Sequence, residues 1–190
     1  MIEARRWPVV LLVLLVPWID APADVSTSTS ERLRNGDVLL LRHAIAPGFG
    51  DPDNFRLGDC STQRNLSDEG RQQAAAIGNW LRQHGITRAA VYSSQWCRCL
   101  ETAELLDLGD VVALPALNSF FERPDDRSSN LTALRAFLAD WQPGDMPLVL
   151  VTHQVTVTAM TGVFPGSGEG VVVSLGENGE LQAPARAPFD

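Results

Sequence analysis

The sequence predicts an α/β fold in which helices cover a mostly parallel sheet. Short apolar runs alternate along the chain with segments of helical spacing, and the runs themselves are continuously apolar. Strands of that kind are buried on both faces, which is typical of a sheet that lies between helices. The length of 190 residues suits one domain, and 45% of the residues are apolar, which is enough for one sizeable core.

Four apolar runs and a C-terminal pair of runs are predicted to be strands. Each run is short, and most are bounded by Gly, Pro, Asn or Asp. The last two runs are joined around Glu177-Asn178-Gly179, a sequence that favours a hairpin turn. The predicted strands span residues 37–41, 89–93, 111–114, 148–152, 171–175 and 181–183.

Segments of helical spacing lie between these strands. Ser67 is a good N-cap for the first, and Gly85 is predicted to end it. Asn130 is the predicted cap of the third helix, and Pro143-Gly144 is its predicted stop. The predicted helices span residues 67–85, 95–106, 130–141 and 155–160.

Residues 1–23 are predicted to be a bacterial signal peptide. Arg5 and Arg6 precede an unbroken apolar run over residues 9–16, and Ala21-Pro22-Ala23 fits a small-x-small cleavage site. The run is short of the ~20 apolar residues that span a bilayer, so we expect no stable membrane insertion after cleavage. An uncleaved N-terminal anchor stays open. Either alternative predicts a domain outside the cytoplasm, in the periplasm or secreted.

The chain after the signal peptide is predicted to consist of a leader and one domain. Residues 24–35 are rich in Ser and Thr and are predicted to be a flexible leader, and residues 36–190 are predicted to form the domain. Export makes a disulfide possible. Cys60 is expected to pair with Cys97 or Cys99, while three free thiols stay open as the alternative.

The charge of the chain limits its partners. The formal net charge is −8, the sequence pI is about 4.8, and every cationic side chain is Arg. Nucleic acid and anionic lipid require a basic face, so neither is an expected partner. A small phosphorylated ligand is compatible with this charge, because a local Arg cluster dominates the field at short range.

Cationic and nucleophilic side chains follow three of the predicted strands. The first strand leads directly into Arg42-His43, the fourth leads into His153, and Arg98 lies in the first turn of the helix after the second strand. Ligands of parallel sheets bind at the carboxyl ends of the strands, so we expect these side chains to share one pocket.

Two Arg and two His in one pocket suit phosphoryl chemistry. The guanidinium fork matches phosphate oxygens. Arg42 and Arg98 would disfavour protonation of His43 and keep its imidazole nucleophilic. His153 could donate a hydrogen bond to oxygens on which charge develops. This chemistry requires no metal and no cofactor, and the sequence shows no carboxylate cluster that would hold a metal.

Four blocks of the sequence resemble the signatures of a known family. They occur in the order of that family over roughly residues 37–160. The blocks are Leu41-Arg42-His43-Ala44, Asn65-Leu66-Ser67-Asp68-Glu69-Gly70 with Gln72-Gln73-Ala74, Ser93-Ser94-Gln95-Trp96-Cys97-Arg98 with Glu101-Thr102-Ala103, and Val151-Thr152-His153. The family is the histidine phosphatase superfamily, which includes the cofactor-dependent phosphoglycerate mutases.

The resemblance implies a fold and a set of roles. The fold would be a three-layer α/β sandwich with a mostly parallel, mixed central sheet, as in phosphoglycerate mutases. His43 would be phosphorylated in turnover, and Arg42, Arg98 and His153 would hold the phosphoryl group of a small phosphorylated substrate. The function would be phosphomonoester hydrolysis in an exported branch of the family. A phosphomutase of the same family and a non-catalytic phospholigand-binding protein are the alternatives.

The general acid is the open position in this pattern. Ser119 stands where the mutases have their catalytic Glu, and Glu122 is the best remaining candidate to protonate the leaving group. Arg64 is either a substrate-contacting group or a solvated loop residue, and His84 is predicted to be a partner of a helix C-terminus. The alternative acids are Asp51, Asp53, Asp125 and Asp126.

Overall fold

The structure is a computed structural model that describes residues 25–142, 144, 146–176, 179–187 and 189. The predicted signal peptide lies outside the described residues, as do Pro143 of the predicted helix stop and residues 177–178 of the predicted hairpin turn. The strands are β1 (Val38–Arg42), β2 (Ala90–Ser93), β3 (Val111–Ala113), β4 (Leu148–Thr152), β5 (Gly170–Leu175) and β6 (Leu181–Ala187). The helices are α1 (Val25–Arg34), α2 (Asp68–Gln83), α3 (Cys97–Leu106), α4 (Asp126–Asp140) and α5 (Gln154–Thr161), with short 3₁₀ turns at Cys60–Thr62 and Pro115–Leu117.

One mixed sheet forms the centre of the domain. The strand order is β3-β2-β4-β1-β5-β6. Strands β1 to β4 pair in parallel, whereas β5 is antiparallel to β1 and β6 is antiparallel to β5. The predicted fold class, an α/β sandwich around a mostly parallel mixed sheet, is confirmed.

The two faces of the sheet are covered by different helices. Side chains alternate along β1, so that Leu39 and Leu41 enter one apolar cluster while Val38 and Leu40 enter another. All four side chains are 0% exposed, which explains why the strand is continuously apolar. The helix residues in the first cluster include Leu33, Ile77 and Leu106, and those in the second include Leu134 and Val157.

Helix α1 corrects the prediction of a flexible leader. Residues 25–34 are helical, and Leu33 at the end of the helix is 1% exposed within the core. Arg32 forms an ion pair with Asp37 at 2.5 Å and donates to the carbonyl oxygen of Ala183. The Ser- and Thr-rich composition gives this segment little helix propensity of its own. The burial of Leu33 in the core stabilises the helix instead.

Helix α4 begins before its predicted start. Its first residue is Asp126, and Asn130 lies inside the helix, where its side chain donates to the carbonyl oxygen of Asn118. Pro124 in the preceding turn and the acidic charge of Asp126 in the first turn favour this earlier start. None of the helices in the described part of the chain combines the length and the apolar character needed to cross a bilayer.

The start of α2 packs directly on the backbone that follows β1. Ser67 caps the helix by accepting a hydrogen bond from the N–H group of Gly70 at 3.1 Å. A Cβ atom at Gly70 would overlap the carbonyl oxygen of Ile45, so the helix can lie this close only because residue 70 is Gly. The carbonyl oxygen of Ile45 also accepts from the N–H group of Ser67 at 3.1 Å. The segment after His43 is therefore held against a rigid element.

Candidate active site

The carboxyl ends of three parallel strands meet in the middle of the sheet. The register places Arg42 beside Thr152 and Ser93 beside Val151. The N–H group of His43 donates to the carbonyl oxygen of Thr152 at 2.9 Å, which continues this pairing one residue beyond β1. The residues that follow β1, β2 and β4 therefore lie side by side, as the sequence predicts.

His43 has the tautomer and the charge of a nucleophile. Its side chain is buried, and Nδ1 lies 2.8 Å from the carbonyl oxygen of Ala44. Because a carbonyl oxygen can only accept, Nδ1 carries the proton and Nε2 keeps a free lone pair. Burial, followed by the positive charge of Arg98, lowers the pKa of His43 from 6.5 to about 3. The imidazole is therefore neutral over the physiological range.

Three guanidinium groups surround this imidazole. A cavity of about 320 Å³ is lined by His43, His153, Arg42, Arg64 and Arg98, among others. Burial, followed by the charge of Arg98, lowers the pKa of both Arg42 and Arg64. Among the described residues, the buried Nε atoms of Arg42 and Arg98 have no hydrogen-bond acceptor. Such donors in a cationic cavity are suited to an anionic ligand.

His153 faces His43 across the cavity. The two ring centroids are 5.6 Å apart, and Nε2 of His153 lies 2.9 Å from Oγ of Ser94. Burial, followed by the charge of Arg98, lowers the pKa of His153 well below its usual value. The Sγ atom of Cys99 is 3.5 Å from the same Nε2, but burial raises the pKa of this thiol to about 12. Cys99 is therefore protonated and is no rival nucleophile.

Asp51 orients Arg98. Its carboxylate oxygens accept from the two Nη atoms of Arg98 at 2.6 and 3.1 Å, and from Nε1 of Trp96 at 2.8 Å. Burial by itself raises the pKa of Asp51, but the hydrogen bonds from Arg98 and Trp96 hold it below its usual value. Asp51 is thus ionised, and its geometry suits a positioning residue rather than the general acid considered from the sequence.

The other candidate acids divide into two groups. Glu122 and Asp53 line the cavity, and Oε1 of Glu122 accepts from the N–H group of Asp51 at 3.0 Å. Asp125 and Asp126 lie at the start of α4 and are not part of the cavity lining. Ser119 lines the cavity but has no carboxylate. Of the general acids considered from the sequence, Glu122 and Asp53 therefore remain as candidates at the mouth of the cavity.

The sequence around this site matches the model of a known family. Residues 38–123 match the sequence model of the histidine phosphatase superfamily (branch 1), a range that contains Arg42, His43 and Arg98. Residues 38–123 therefore carry the sequence pattern of the histidine phosphatase superfamily. The family predicted from the four sequence blocks is confirmed.

Individual relatives of this chain are distant. Over 69 residues it is 35% identical to the mitochondrial serine/threonine-protein phosphatase Pgam5 of Drosophila grimshawi. That match covers 36% of the chain and 21% of the relative, so the chain spans about a fifth of the curated protein that it matches.

Two solved structures share the fold of this chain. The protein histidine phosphatase SixA, complexed with tungstate, is 19% identical with a TM-score of 0.57, and the match covers 80% of this chain and 97% of that one. A mycobacterial glucosyl-3-phosphoglycerate phosphatase complexed with VO3 is 16% identical with a TM-score of 0.52, covering 77% of this chain and 95% of that one. At these identities the similarity shows the fold alone.

Arg64 is the site residue that the sequence left undecided. Its Nε donates to the carbonyl oxygen of Gly50 at 2.7 Å, and its Nη1 donates to that of Ala46. Cys60 forms a disulfide with Cys97, which resolves the pairing left open by the sequence, and Cys99 is free. The bridge ties the loop that carries Arg64 to the helix that carries Arg98. In the sequence, Cys97 stands directly before Arg98. A bridge from Cys97 to Cys60 was the available signal that the loop after Cys60, and with it Arg64, belongs to the site.

Removal of this disulfide is expected to destabilise the domain. The bridge closes a loop with a sequence separation of 37 residues, and cross-links of this size stabilise proteins by roughly 2–4 kcal/mol. We expect the double variant Cys60→Ser, Cys97→Ser to lose about that much free energy of unfolding in urea. Reductant should destabilise the wild type and leave the variant unaffected. Equal stability of wild type and variant without reductant would contradict the prediction.

Acidification is expected to destabilise the folded protein through His43 and His153. The folded-state pKa of His43 is about 3 against 6.5 for an ordinary His, so between these values the unfolded chain binds a proton that the folded chain does not. The part of the stability that depends on neutral His43 is therefore fully present above pH 6.5 and is lost as the pH drops toward 3, by about 1.4 kcal/mol per pH unit. His153 adds to the loss in the same direction. The groups that set the shift of His43 besides burial are Arg42, Arg64, Arg98 and the carbonyl of Ala44.

Urea unfolding at about pH 7 and about pH 5 measures this effect. The variant His43→Gln should show a smaller loss of stability between the two values, because one of the two neutral imidazoles is absent. An identical loss in variant and wild type would show that His43 titrates normally in the folded state.

Proposed function

We propose that this chain hydrolyses phosphomonoesters through a phosphohistidine intermediate on His43. The observation that carries the proposal is the cavity itself: a neutral imidazole with a free Nε2 lies beside buried guanidinium N–H groups that have no acceptor among the described residues. An incoming phosphoryl group supplies both the electrophile and the missing acceptors.

The first half-reaction transfers the phosphoryl group to the protein. Nε2 of His43 forms a bond to phosphorus while the bond between phosphorus and the ester oxygen breaks. The leaving alkoxide takes a proton from a carboxylic acid, for which Glu122 at the cavity mouth is our candidate. Arg42, Arg98 and His153 contact the phosphoryl oxygens and stabilise the charge that develops on them.

The second half-reaction restores the enzyme. The carboxylate of Glu122, left by the first step, accepts a proton from a water molecule whose oxygen attacks phosphorus. The bond between phosphorus and Nε2 breaks, inorganic phosphate leaves, and His43 and Glu122 regain their starting protonation states. Neither half-reaction is a redox step, and the only reactants are the phosphomonoester and water.

The names of the relatives support this reaction. Pgam5, SixA and the mycobacterial protein are each named phosphatases, and the latter two are described with the oxyanions tungstate and VO3. We expect tungstate to bind the cavity of this chain and to inhibit its turnover competitively.

The experiment is a phosphatase assay with trapping of the intermediate. Purified protein is incubated with a panel of phosphomonoesters, phosphate release is measured, and the reaction is quenched during turnover. We expect phosphate release and acid-labile, hydroxylamine-sensitive phosphate on the protein. Tungstate binding without turnover of any substrate would instead support a phospholigand-binding protein, and a persistently phosphorylated protein that transfers its group to a second alcohol would support a mutase.

We also propose that the reaction takes place outside the cytoplasm, in the periplasm or after secretion. The predicted signal peptide and the disulfide Cys60–Cys97 support this location, because structural disulfides persist in oxidising compartments. The test is production of the full chain in a Gram-negative host, followed by fractionation and N-terminal sequencing. We expect periplasmic protein that begins at Asp24. Protein that stays in the cytoplasm with Met1 in place would overturn the proposal.

A further inference from the structure

Two exposed phenyl rings stand at the mouth of the cavity. Phe49 is 86% exposed and Phe121 is 46% exposed, and both line the cavity whose floor holds the guanidinium groups. Their ring centroids are 4.9 Å apart in an edge-to-face arrangement. Single exposed apolar side chains are common, but two in mutual contact beside a cationic cavity form a patch that a ligand can cover.

The backbone that presents Phe49 is fixed on both sides. Gly48 and Gly50 flank it with φ values of +95° and +65°, a conformation that favours glycine. Beyond Gly50, Asp51 is paired with buried Arg98, and the side chain of Arg64 donates to the carbonyl oxygen of Gly50. The phenyl ring is thus held out over the cavity by an anchored loop.

The walls between mouth and floor are also aromatic. Phe55 stacks on Trp96 with ring centroids 5.0 Å apart, and the centroid of Trp96 lies 5.3 Å from that of His153. The guanidinium of Arg123 lies 5.5 Å from the centroid of Phe55, on its face. A planar group that extends from a phosphoryl group on His43 would therefore meet aromatic surface on more than one side.

The charges are separated along the depth of the cavity. Arg42, Arg64 and Arg98 lie with the two imidazoles, whereas the carboxylate of Asp53 belongs to an exposed residue of the lining. A dianionic phosphate is attracted to the floor, and a second anionic group on the same substrate would meet this carboxylate.

We infer that the preferred substrates are phosphomonoesters whose leaving group is planar, apolar and uncharged, with its ring held by Phe49 and Phe121. The inference rests on the proposed function, since it names the leaving group of that reaction. The cavity of about 320 Å³ lies at the lower end of the range for small-molecule sites, which suits a phosphoryl group with one ring.

The test compares three phosphate esters of primary alcohols, so that the chemistry of the departing oxygen is alike: benzyl phosphate, ethyl phosphate and 4-carboxybenzyl phosphate. We expect kcat/KM for benzyl phosphate to exceed that for ethyl phosphate by on the order of tenfold to a hundredfold. The added carboxylate should remove most of that preference. If the wild type hydrolyses none of the three, the proposed function fails; if it hydrolyses them with equal kcat/KM, only the inference about the leaving group fails.

Variants assign the preference to the two rings. Phe49→Ala and Phe121→Ala should each lower the ratio of benzyl to ethyl kcat/KM, and the double variant should lower it by about tenfold. Phe164→Ala is the matched control, because Phe164 is 63% exposed and is not part of the cavity lining. Phe49→Leu should give an intermediate ratio. A double variant with the wild-type ratio would overturn the inference.

Discussion

The variant His43→Ala is expected to lose at least about a thousandfold in turnover of any phosphomonoester. The side chain removed is the neutral imidazole whose Nε2 is free, whereas Nε2 of the second neutral imidazole, His153, lies 2.9 Å from Oγ of Ser94. The nearby Cys99 thiol is held protonated by burial. The measurement is kcat with an aryl phosphate, combined with a trap for protein-bound phosphate, which should be absent from the variant.

The control for this variant is His84→Ala. The His84 ring stacks on Trp80 at 3.8 Å, and Nδ1 lies 2.8 Å from the carbonyl oxygen of Trp80 at the end of α2. That location matches its predicted role at a helix C-terminus, away from the cavity. We expect turnover close to that of the wild type. Retained turnover in His43→Ala, with a folded protein, would refute the assignment of the nucleophile.

The variant Arg98→Met is expected to lose both turnover and stability. Arg98 and Asp51 form an ion pair whose side chains are 3% and 6% exposed, so removal of the guanidinium leaves the Asp51 carboxylate buried without its main partner. Loss of one member of such a pair costs about 3–5 kcal/mol of unfolding free energy. Turnover should fall as well, because the cavity loses a donor to the phosphoryl group. Urea unfolding and a phosphatase assay measure the two effects.

The double variant Asp51→Leu, Arg98→Met separates the two effects. It replaces the ion pair by apolar side chains and removes the unpaired charge, so we expect most of the lost stability to return. Turnover should stay as low as in Arg98→Met. The single variant Asp51→Asn should mainly weaken tungstate binding and raise KM, because Arg98 stays charged but loses its orientation. A double variant no more stable than Arg98→Met would show that the pairing carries no coupling energy.

Much of the fold followed from the pattern of apolar residues. Residues 148–152 were predicted and observed with the same bounds, because a strand buried on both faces is continuously apolar and ends where polar residues begin. The same pattern located His43 and His153, since each follows such a strand directly. The family resemblance then agreed with a site that strand ends alone had already indicated.

Other features depended on contacts that no local pattern records. Helix α1 has the composition of a leader, and only the burial of Leu33 against the sheet makes it part of the domain. The role of Asp51 depends on Arg98, which lies 47 residues further along the chain. A loop carboxylate that pairs with a buried guanidinium has the same local sequence as one that protonates a leaving group, so the sequence left these alternatives open.

Gly70 reflects the architecture of the domain rather than its chemistry. This residue belongs to the block at the start of α2, and its lack of a side chain lets the helix rest on the carbonyl of Ile45. The residue type is therefore dictated by the distance between two backbones, not by anything the cavity binds. Recurrence of this glycine in another protein is a marker of shared architecture, and it carries no information about whether that protein is a hydrolase, a mutase or catalytically silent.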